Sequence, residues 1–442
     1  MPARVLMVSP HFPPDSSAGA HRVRLLAPHL PAFGWEPTVV SIDPRDYEGR
    51  VDTGLERLVP PELRVIRCRA WSPSWTRPLG FGDLGLRGWT ALSRTCRHLL
   101  AREPFDALFI TIYPVYPALL GPRLKRRFHV PFILDYQDPW VGAWGLTVGG
   151  GAGGRVDLKS RASRALGAWL EPAVLRAADA ITAVSQGTCD DLARRVPEIA
   201  RIPQAVLPLG WERGDFDVLR THPEPNPFFD PADGQRHLCY VGTLLPEGVE
   251  TVRALLRAVR TLRERDPLAA AGVHLWFIGT SNQSRPGERL RVVPMAEAEG
   301  VGAQVHEIPG RIPYLQALRV LSDATGILLL GSTEPHYTAS KIFPALLAGR
   351  PILALFHRES SVVDILQRAG RAPLVQVVTY GGAEGPLDRQ AAIVEALATL
   401  LQRPGREVAA IDLSAIDGVS ARAGARRLAA LLDEVRGARR AA

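Results

Sequence analysis

Short apolar runs alternate with helical patterns along the whole chain, and this alternation constrains the fold more than any other feature. The runs Arg4–Ser9, Ala107–Ile112 and Gly326–Leu330 are apolar at most positions and have the length of a strand. A strand without polar alternation buries both of its faces, which is typical of a parallel sheet with helices on both sides. The pattern therefore predicts α/β architecture built from doubly wound parallel sheets.

The other predicted strands share this apolar character. They are Pro37–Ile42, Arg64–Cys68, Pro131–Tyr136, Ala180–Val184, Gln204–Leu207, Leu238–Val241, His274–Ile278, Val305–Ile308, Pro351–Phe356 and Leu374–Val378. Helical periodicity between the runs predicts helices at Ala20–Phe33, Glu247–Arg265, Pro313–Ser322, Ser340–Ala348, Ser361–Ala369 and Ala421–Arg439.

A composition break divides the alternation into two halves. Residues 221–235 read THPEPNPFFDPADGQ and contain four prolines, which is typical of a linker. We therefore predict an N-terminal Rossmann-like domain at 1–220, a Pro-rich linker at 221–235 and a second Rossmann-like domain at 236–418. The segment 419–442 is predicted to be a helix that closes the chain and returns to the N-terminal domain. Ligands of such sheets bind beyond the carboxyl ends of the strands, so we expect the two domains to face a central cleft.

Composition and charge exclude several classes of protein. No apolar run approaches the roughly 18 residues of a membrane-spanning helix, and the start of the chain lacks the apolar core of a signal peptide. We therefore expect a cytoplasmic protein. The four cysteines lie far apart and indicate neither a zinc site nor a disulfide framework; they are Cys68, Cys96, Cys189 and Cys239.

Arginine supplies most of the basic side chains and explains the net charge of +8. Genomic codon usage accounts for such a bias, but a basic chain also suits an anionic partner. No nucleic-acid-binding motif accompanies the arginines. A small phosphorylated ligand or an acidic lipid surface is therefore favoured over nucleic acid.

The order and spacing of several motifs resemble glycosyltransferase family 4, a family with the two-domain GT-B fold. The matching segments are MVSPHFPPDSSAGAHR (7–22), ILDYQDPW (133–140), ADAITAVSQGTCDDL (178–192), AVLPLGWE (205–212), YVGTL (240–244), HLWFIGT (274–280), EIPGRIPYLQAL (307–318) and SKIFPALLAGRPILAL (340–355). The resemblance implies a hexosyltransferase that uses a UDP- or GDP-sugar, needs neither metal nor cofactor, and retains the anomeric configuration. Its acceptor would be a glycan, a lipid-linked glycan or a small molecule, as in polysaccharide biosynthesis.

The predicted donor site lies in the second half of the chain. A nucleotide-sugar diphosphate binds well at a helix N-terminus beside a cation, and Ser340 is a plausible N-cap with Lys341 in the first turn. Gly242 ends a predicted strand and lets a diphosphate approach the backbone. The resemblance places Arg311 near the nucleotide base. Each residue also has a purely structural alternative. Lys341 would be a solvated lysine, Gly242 would only form the turn that ends the strand, and Arg311 would be a surface arginine.

The predicted acceptor side lies in the first half. Gly19 belongs to a turn before the first long helix and is expected beneath the cleft, near the donor phosphates. His21 and Arg22 open that helix and would touch the acceptor or the phosphates, or simply lie on the surface. Asp138 follows a predicted strand, where this fold places a group that contacts the acceptor hydroxyl or the sugar; an Asx-turn is the alternative. Trp140 is assigned to the same side.

The chain departs from the family at its commonest signature, two glutamates eight positions apart. The second would fall at Pro344, which offers no acceptor for ribose hydroxyls, and the first at His336, with Glu334 two residues earlier. We therefore expect Glu334 or His336 near the transferred sugar, as catalytic candidates. The cations usual after the first strand of the second domain are also missing, and their expected replacements are Arg285, Arg311 or Lys341.

Two further functions follow from these departures. A catalytically silent family member would act as a binding or partner subunit. A nucleotide-sugar epimerase would use the same two-domain fold but would need a fuller set of acids and bases.

Two segments stand outside the motifs. Trp71–Trp89 combines aromatic residues with Arg77 and Arg87, as expected of a loop that contacts an acidic membrane surface or a lipid-linked acceptor, or of ordinary core and rim residues. Residues 149–154 are Gly-rich and predict either a flap over the acceptor side or a disordered insertion.

Overall fold

The computed structural model describes residues 2–49, 51–78, 81–138, 140–141, 158–281, 289–333, 341–370, 373–402 and 411–441. The chain divides into two compact units. The first contains Met1–Glu212 and Val419–Ala442, and the second contains Arg213–Gly418. Among the residues in these ranges, no helix is both long and apolar enough to cross a bilayer.

The first unit is built on a seven-stranded sheet in the order β3-β2-β1-β4-β5-β6-β7. All of its neighbouring strands pair in parallel. The strands are β1 (Ala3–Val8), β2 (Trp35–Ile42), β3 (Arg64–Cys68), β4 (Ala107–Thr111), β5 (Phe132–Tyr136), β6 (Ala180–Ala183) and β7 (Gln204–Val206).

The second unit repeats this arrangement with six parallel strands in the order β10-β9-β8-β11-β12-β13. They are β8 (Arg236–Val241), β9 (Val273–Ile278), β10 (Val305–Ile308), β11 (Gly326–Leu330), β12 (Ile352–His357) and β13 (Val375–Tyr380). Every predicted strand is therefore confirmed, with its ends shifted by at most a few residues.

Helices cover both sheets. Those of the first unit are α1 (Ala20–Leu26), α2 (Pro73–Thr76), α3 (Leu84–Arg87), α4 (Trp89–Arg102), α5 (Leu120–Phe128), α6 (Leu158–Ala177) and α7 (Gln186–Arg195). Those of the second are α8 (Gly214–Thr221), α9 (Val249–Arg265), α10 (Pro267–Ala270), α11 (Val293–Ala298), α12 (Tyr314–Asp323), α13 (Ile342–Leu347), α14 (Ser361–Ala369) and α15 (Gln390–Leu401). Helix α16 (Ala421–Ala441) belongs to the first unit. Short 3-10 segments lie at 27–33, 44–46, 53–58, 116–119, 197–201, 246–248, 302–304, 386–389 and 413–419.

Two prolines explain why the first predicted helix changes from an α-helix to a 3-10 helix. The periodic pattern continues from Ala20 to Phe33, but the α-helix stops at Leu26 and a 3-10 segment carries the chain to Phe33. Pro28 and Pro31 lie in that segment and lack the N–H that an α-helical ladder needs. Gly34 ends it in the left-handed conformation, with φ of 82°.

The last helix packs on the first sheet. Leu428, Leu432 and Val435 of α16 are buried in the same core as Trp35 of β2. The Trp35 indole N–H donates to the carboxylate of Asp433 over 3.1 Å. These contacts explain why Val419–Ala442 groups with the first unit.

The boundary between the units differs from the expected position. The first unit ends at Glu212 instead of residue 220, and the stretch expected as a linker belongs to the second unit. Its Phe229 is buried and stacks on the His237 ring of β8, with centroids 4.1 Å apart. The linker was predicted from the proline content of this stretch, and proline content does not predict such a contact between Phe229 and His237.

Candidate active site

Both sheets reverse their strand order beside their first strand. The reversal lies between β1 and β4 in the first unit and between β8 and β11 in the second. Loops that leave two such neighbouring strands run in opposite directions, so a crevice opens at the carboxyl ends. In the second unit this point is bordered by Gly242 and Gly331, and in the first by Ser9 and Ile112.

Gly242 and Lys341 meet at the crevice of the second unit. Gly242 has φ of 139°, a conformation that side chains rarely adopt, and a Cβ atom built on it would lie 3.4 Å from Lys341 Cδ and 3.5 Å from Nζ. Gly279, at the end of β9, also has positive φ, at 76°, and would place a Cβ 3.8 Å from the Gly242 nitrogen. The Lys341 side chain therefore lies against the backbone of Gly242, which has no side chain.

Polar groups of the same turn hold the Lys341 ammonium. Its Nζ donates to the Tyr240 hydroxyl at 2.5 Å and approaches the Thr243 carbonyl at 3.4 Å. The Tyr240 hydroxyl donates in turn to the Thr243 carbonyl over 2.8 Å. The ammonium also lies 4.2 Å from the centroid of the Tyr240 ring. Tyr240 is buried, so the position of the lysine is set by the end of β8.

Among the described residues the Lys341 ammonium lacks a counter-charge. No carboxylate of the described part of the chain forms an ion pair with it, and desolvation by the surrounding protein lowers its pKa from 10.5 to about 7. A cation in this state gains free energy when an anion binds, because the anion favours the charged form. This geometry suits a phosphate group.

The N-cap of the helix that follows lies one residue later than expected. Helix α13 starts at Ile342, and Lys341 occupies the N-cap position without a side-chain cap. Pro344 lies within this helix, so the departure from the family signature is part of regular structure. Four predicted site residues lie outside the described residues: Arg285, Glu334, His336 and Ser340.

Arg311 follows a strand that is not at the strand reversal. It is exposed in the loop between β10 and α12. Strand β10 is at the edge of the sheet, with β9 between it and β8. The nucleotide-base role that the resemblance implies stays a prediction.

In the first unit Gly19 serves packing. A Cβ atom at this position would lie 2.0 Å from Cδ1 of Tyr113, which follows β4. The missing side chain therefore makes room for an aromatic ring at the strand reversal. This steric reason explains the glycine by itself, and the expectation that Gly19 lies near the donor phosphates stays a prediction.

Arg22 is buried and does not face a ligand. Its side chain is 1% exposed, and Nε donates to the carboxylate of Asp135 over 2.9 Å. One further nitrogen, Nη1, donates to the Leu207 carbonyl at 2.5 Å, and Thr182 donates to the other Asp135 oxygen at 2.7 Å. The pair joins α1 to β5 and to the end of β7. We therefore correct the expectation that Arg22 touches the acceptor.

Three other predicted residues lie near the surface of the first unit. His21 is half-buried and accepts a hydrogen bond from Arg24 Nε over 3.2 Å. Asp138 is exposed just beyond β5, although the protein around its carboxyl group raises its pKa by desolvation. Trp140 packs edge-on against Tyr116, with centroids 6.2 Å apart.

The structure also assembles a cluster that the sequence analysis missed. His11 Nδ1 pairs with the carboxylate of Asp15, and the ring lies 5.1 Å from that of Tyr113. Both residues of the pair belong to the segment PHFPPD directly after β1. Their position after the first strand was the available signal, but the pairing requires the fold of the loop.

The aromatic segment 71–89 is exposed only in part. Trp71 and Trp75 are 62% and 80% exposed. The two arginines, however, are not free basic groups: Arg77 pairs with Glu48, and Arg87 is buried beside the same carboxylate at 3.2 Å. Across the described ranges, no group of three or more metal-ligating side chains could hold a metal ion.

The first unit also matches a known family. Residues 17–210 match the family described as the glycosyl transferase 4-like domain. This matched region lies within the N-terminal unit, and it supports the resemblance of the chain to glycosyltransferase family 4.

Solved structures show that the chain has the two-domain GT-B fold. HepE from Anabaena, crystallised with UDP and glucose, is 12% identical with a TM-score of 0.51, over 99% of this chain and 98% of that chain. An alpha,alpha-trehalose-phosphate synthase (UDP-forming) from Burkholderia vietnamiensis is 11% identical with a TM-score of 0.55, over 99% of both chains. A Listeria monocytogenes protein described as a UDP-N-acetylglucosamine 2-epimerase is 13% identical with a TM-score of 0.50, over 98% and 96%. No curated protein matches the sequence.

The buried pair predicts a large stability effect. Replacing Arg22→Met leaves the Asp135 carboxylate buried without its cation, and we expect the free energy of unfolding to fall by about 3–5 kcal/mol. Adding Asp135→Asn should recover part of this loss. Urea unfolding of the three proteins measures it, with Arg45→Ala as a control because Arg45 forms a surface pair and should change stability little. Equal destabilisation by Arg22→Met and Arg45→Ala would contradict the assignment.

The titration of Lys341 is directly measurable. The chain has only three lysines, Lys125, Lys159 and Lys341, so NMR of protein labelled at the lysine side chains gives few signals. We expect one signal, missing in Lys341→Met, to titrate near pH 7. Addition of UDP should move this midpoint to higher pH, because the anion stabilises the ammonium. A midpoint at the ordinary lysine value, unmoved by UDP, would refute the site.

Proposed function

We propose that this protein is a glycosyltransferase that moves a hexosyl group from a nucleoside diphosphate sugar to a hydroxyl group of its acceptor. The observation that carries the proposal is the desolvated ammonium of Lys341 at the strand reversal of the second unit, which is held by the Tyr240 hydroxyl and pairs with no carboxylate of the described residues. A diphosphate leaving group is the anion that such a site suits. HepE was crystallised with UDP and glucose, which supports UDP as the first nucleotide to test.

The residues of this crevice have distinct parts in the proposed reaction. As the bond between the anomeric carbon and the diphosphate breaks, negative charge grows on the leaving oxygen, and a nearby cation stabilises it. Lys341 supplies that cation. The Gly242 N–H already donates to the Ile278 carbonyl over 2.8 Å, so Gly242 contributes space for the diphosphate and not a hydrogen bond.

The acceptor is assigned to the first unit. Asp138 stays our proposed acceptor contact there, because it is exposed beyond the carboxyl end of β5. Its raised pKa means that the group binds a proton more readily than a free carboxylate does. The acceptor class we propose is a glycan, a lipid-linked glycan or a small polyol.

The exposed rings of Trp71 and Trp75 would contact a lipid-linked acceptor or a membrane surface. Co-sedimentation of the protein with lipid vesicles tests this contact.

A silent binding subunit is the second candidate. It is favoured by Pro344 and by the segment 242–248, which contains neither arginine nor lysine. It predicts no nucleotide-sugar turnover. An epimerase would convert UDP-N-acetylglucosamine without any acceptor, and product analysis of that incubation tests it.

Donor binding tests the proposal. Calorimetric titration with UDP, GDP and their sugars should show binding by one nucleotide class, and Lys341→Met should weaken it roughly ten- to a hundredfold, as expected for a lost charged hydrogen bond. Because the pKa of Lys341 is about 7 in the free protein, the charged fraction of this lysine falls from about nine-tenths at pH 6 to about one-tenth at pH 8. Affinity should therefore be about tenfold weaker at pH 8.

A matched control is Lys125→Met. Lys125 belongs to the first unit, where it pairs with Asp179 at 2.7 Å, so its loss should leave nucleotide affinity unchanged. Absence of binding by every nucleotide would remove the donor site and favour the silent subunit. Binding that is equally strong in Lys341→Met would remove only the role of the lysine.

Retention of the anomeric configuration stays a prediction from the family resemblance. Proton NMR of the freshly formed glycoside reports it through the coupling constant of the anomeric proton. An α-linked UDP-hexose should give an α-linked product. A β-linked product would show inversion and contradict the prediction.

A further inference from the structure

Helices α4, α5 and α6 form one layer on a single face of the first sheet. Leu92 of α4, Leu124 of α5 and Val174 of α6 are buried in the same core. Helix α5 contacts both of the other helices, while α1 and α16 cover the opposite face of the sheet. The exposed side chains of the three helices therefore lie on one side of the unit. The sugar transfer proposed above uses none of them.

Two of these helices carry exposed basic side chains and no acidic residue. The sequence of α4 is WTALSRTCRHLLAR, and that of α5 is LGPRLKRRF. Like charges three or four positions apart on a helix repel each other and lower its stability. Arg94 and Arg97 have this spacing, and so do Arg123 and Arg126. The exposed arginines of the two helices are Arg94, Arg97, Arg102, Arg123, Arg126 and Arg127.

The charges of these six arginines are not compensated within the described part of the chain, where none of them forms an ion pair with a carboxylate. Arg97, Arg123 and Arg126 each donate to the carbonyl four residues earlier, over 3.0 to 3.3 Å. A carbonyl group carries no net charge, so each guanidinium keeps its attraction for an anion. By contrast, Arg195 of α7 pairs with Asp191 at 3.0 Å. High arginine content alone therefore does not explain the unpaired cluster.

Exposed apolar side chains lie beside the arginines. On α6 the side chains of Leu166 and Trp169 are 44% and 74% exposed, and Glu171, two residues after Trp169, is buried on the opposite side of the helix. Trp71 and Trp75 are also exposed and precede α3, which contacts α4. Tryptophan is favoured where lipid headgroups meet acyl chains, because its ring is apolar and its N–H is polar.

We propose that the outer surface of α4, α5 and α6 docks the protein on an acidic lipid surface. The arginines of α4 and α5 bind the headgroup phosphates, because a guanidinium donates two parallel hydrogen bonds to a phosphate. Trp169 and Leu166 of α6 enter the boundary between headgroups and acyl chains. A bilayer offers phosphate and hydrocarbon side by side, whereas a soluble polyanion offers only charge. Such attachment does not require sugar transfer, so it goes beyond the proposed function.

Co-sedimentation of the full chain with lipid vesicles tests this surface. The wild type should bind vesicles of phosphatidylcholine mixed with phosphatidylglycerol and leave vesicles of phosphatidylcholine alone unbound. Added salt should weaken the binding, because it screens the charges. The triple variant Arg94→Gln, Arg97→Gln, Arg126→Gln should bind the acidic vesicles about a hundredfold less tightly, since each arginine near an acidic surface contributes roughly fivefold.

The matched control is the triple variant Arg253→Gln, Arg265→Gln, Arg368→Gln. These three arginines are exposed on the second unit, and their replacement removes the same charge from the chain. The control should bind acidic vesicles as tightly as the wild type. Thermal unfolding checks that both triple variants are folded, as expected for substitutions of exposed side chains.

Fluorescence provides a second measurement, on the apolar part of the surface. Acidic vesicles that contain brominated phosphatidylcholine quench tryptophans that reach the acyl chains. Vesicle binding should therefore quench the wild type more strongly than Trp169→Phe, because Trp169 is exposed on α6. Equal quenching of the two proteins would contradict the docking orientation.

The other outcomes also decide the proposal. It is overturned if the wild type does not bind acidic vesicles, or if the two triple variants lose binding equally, because net charge alone would then be responsible. Tighter binding to soluble polyglutamate than to the vesicles would assign the surface to an acidic protein instead. None of these results changes the calorimetric titration with nucleotides, so a failure here leaves the proposed function standing.

Discussion

The reversal of strand order beside the first strand of each sheet is the constraint on which the candidate site depends. Parallel strands need crossover connections on one face or the other, and the connections change face where the order reverses. At β1 and β4, and again at β8 and β11, neighbouring loops therefore diverge and leave the carboxyl ends accessible. Glycines, a lysine and a histidine–carboxylate pair lie at these two points.

The two points use charge in opposite ways. At the second sheet the Lys341 ammonium is desolvated and pairs with no carboxylate in the described part of the chain, so its pKa falls and an incoming anion is favoured. At the first sheet, beneath the reversal, Arg22 and Asp135 compensate each other in the interior, and the pair stabilises the contact between α1 and β5. A buried cation that is paired with a carboxylate is part of the scaffold, whereas Lys341, which is held only by uncharged groups of the described residues, suits an anionic ligand.

Site residues were harder to predict from the sequence than the elements that carry them. Lys341 and Gly242 were singled out separately, as a helix start and a strand end, and the structure brings them into contact. Gly19 and Arg22 sit in an equally suggestive motif, yet one makes room for the Tyr113 ring and the other is buried. The same residue types at a strand end serve packing or binding according to neighbours that are distant in sequence. For Arg22 that neighbour, Asp135, lies 113 positions away.

The sequence by itself determined the α/β class, the strands and the division into two sheets, because apolar runs and helical periodicity are local and survive any arrangement of the rest. It also carried enough of the family motifs to indicate a glycosyltransferase. Only the tertiary structure decided that the Pro-rich stretch packs on the second sheet, that Arg22 is internal, and that His11 is oriented by Asp15. Those outcomes depend on burial and on partners that fold into contact, and burial is what changes the pKa, the hydrogen bonding and therefore the role of a polar side chain.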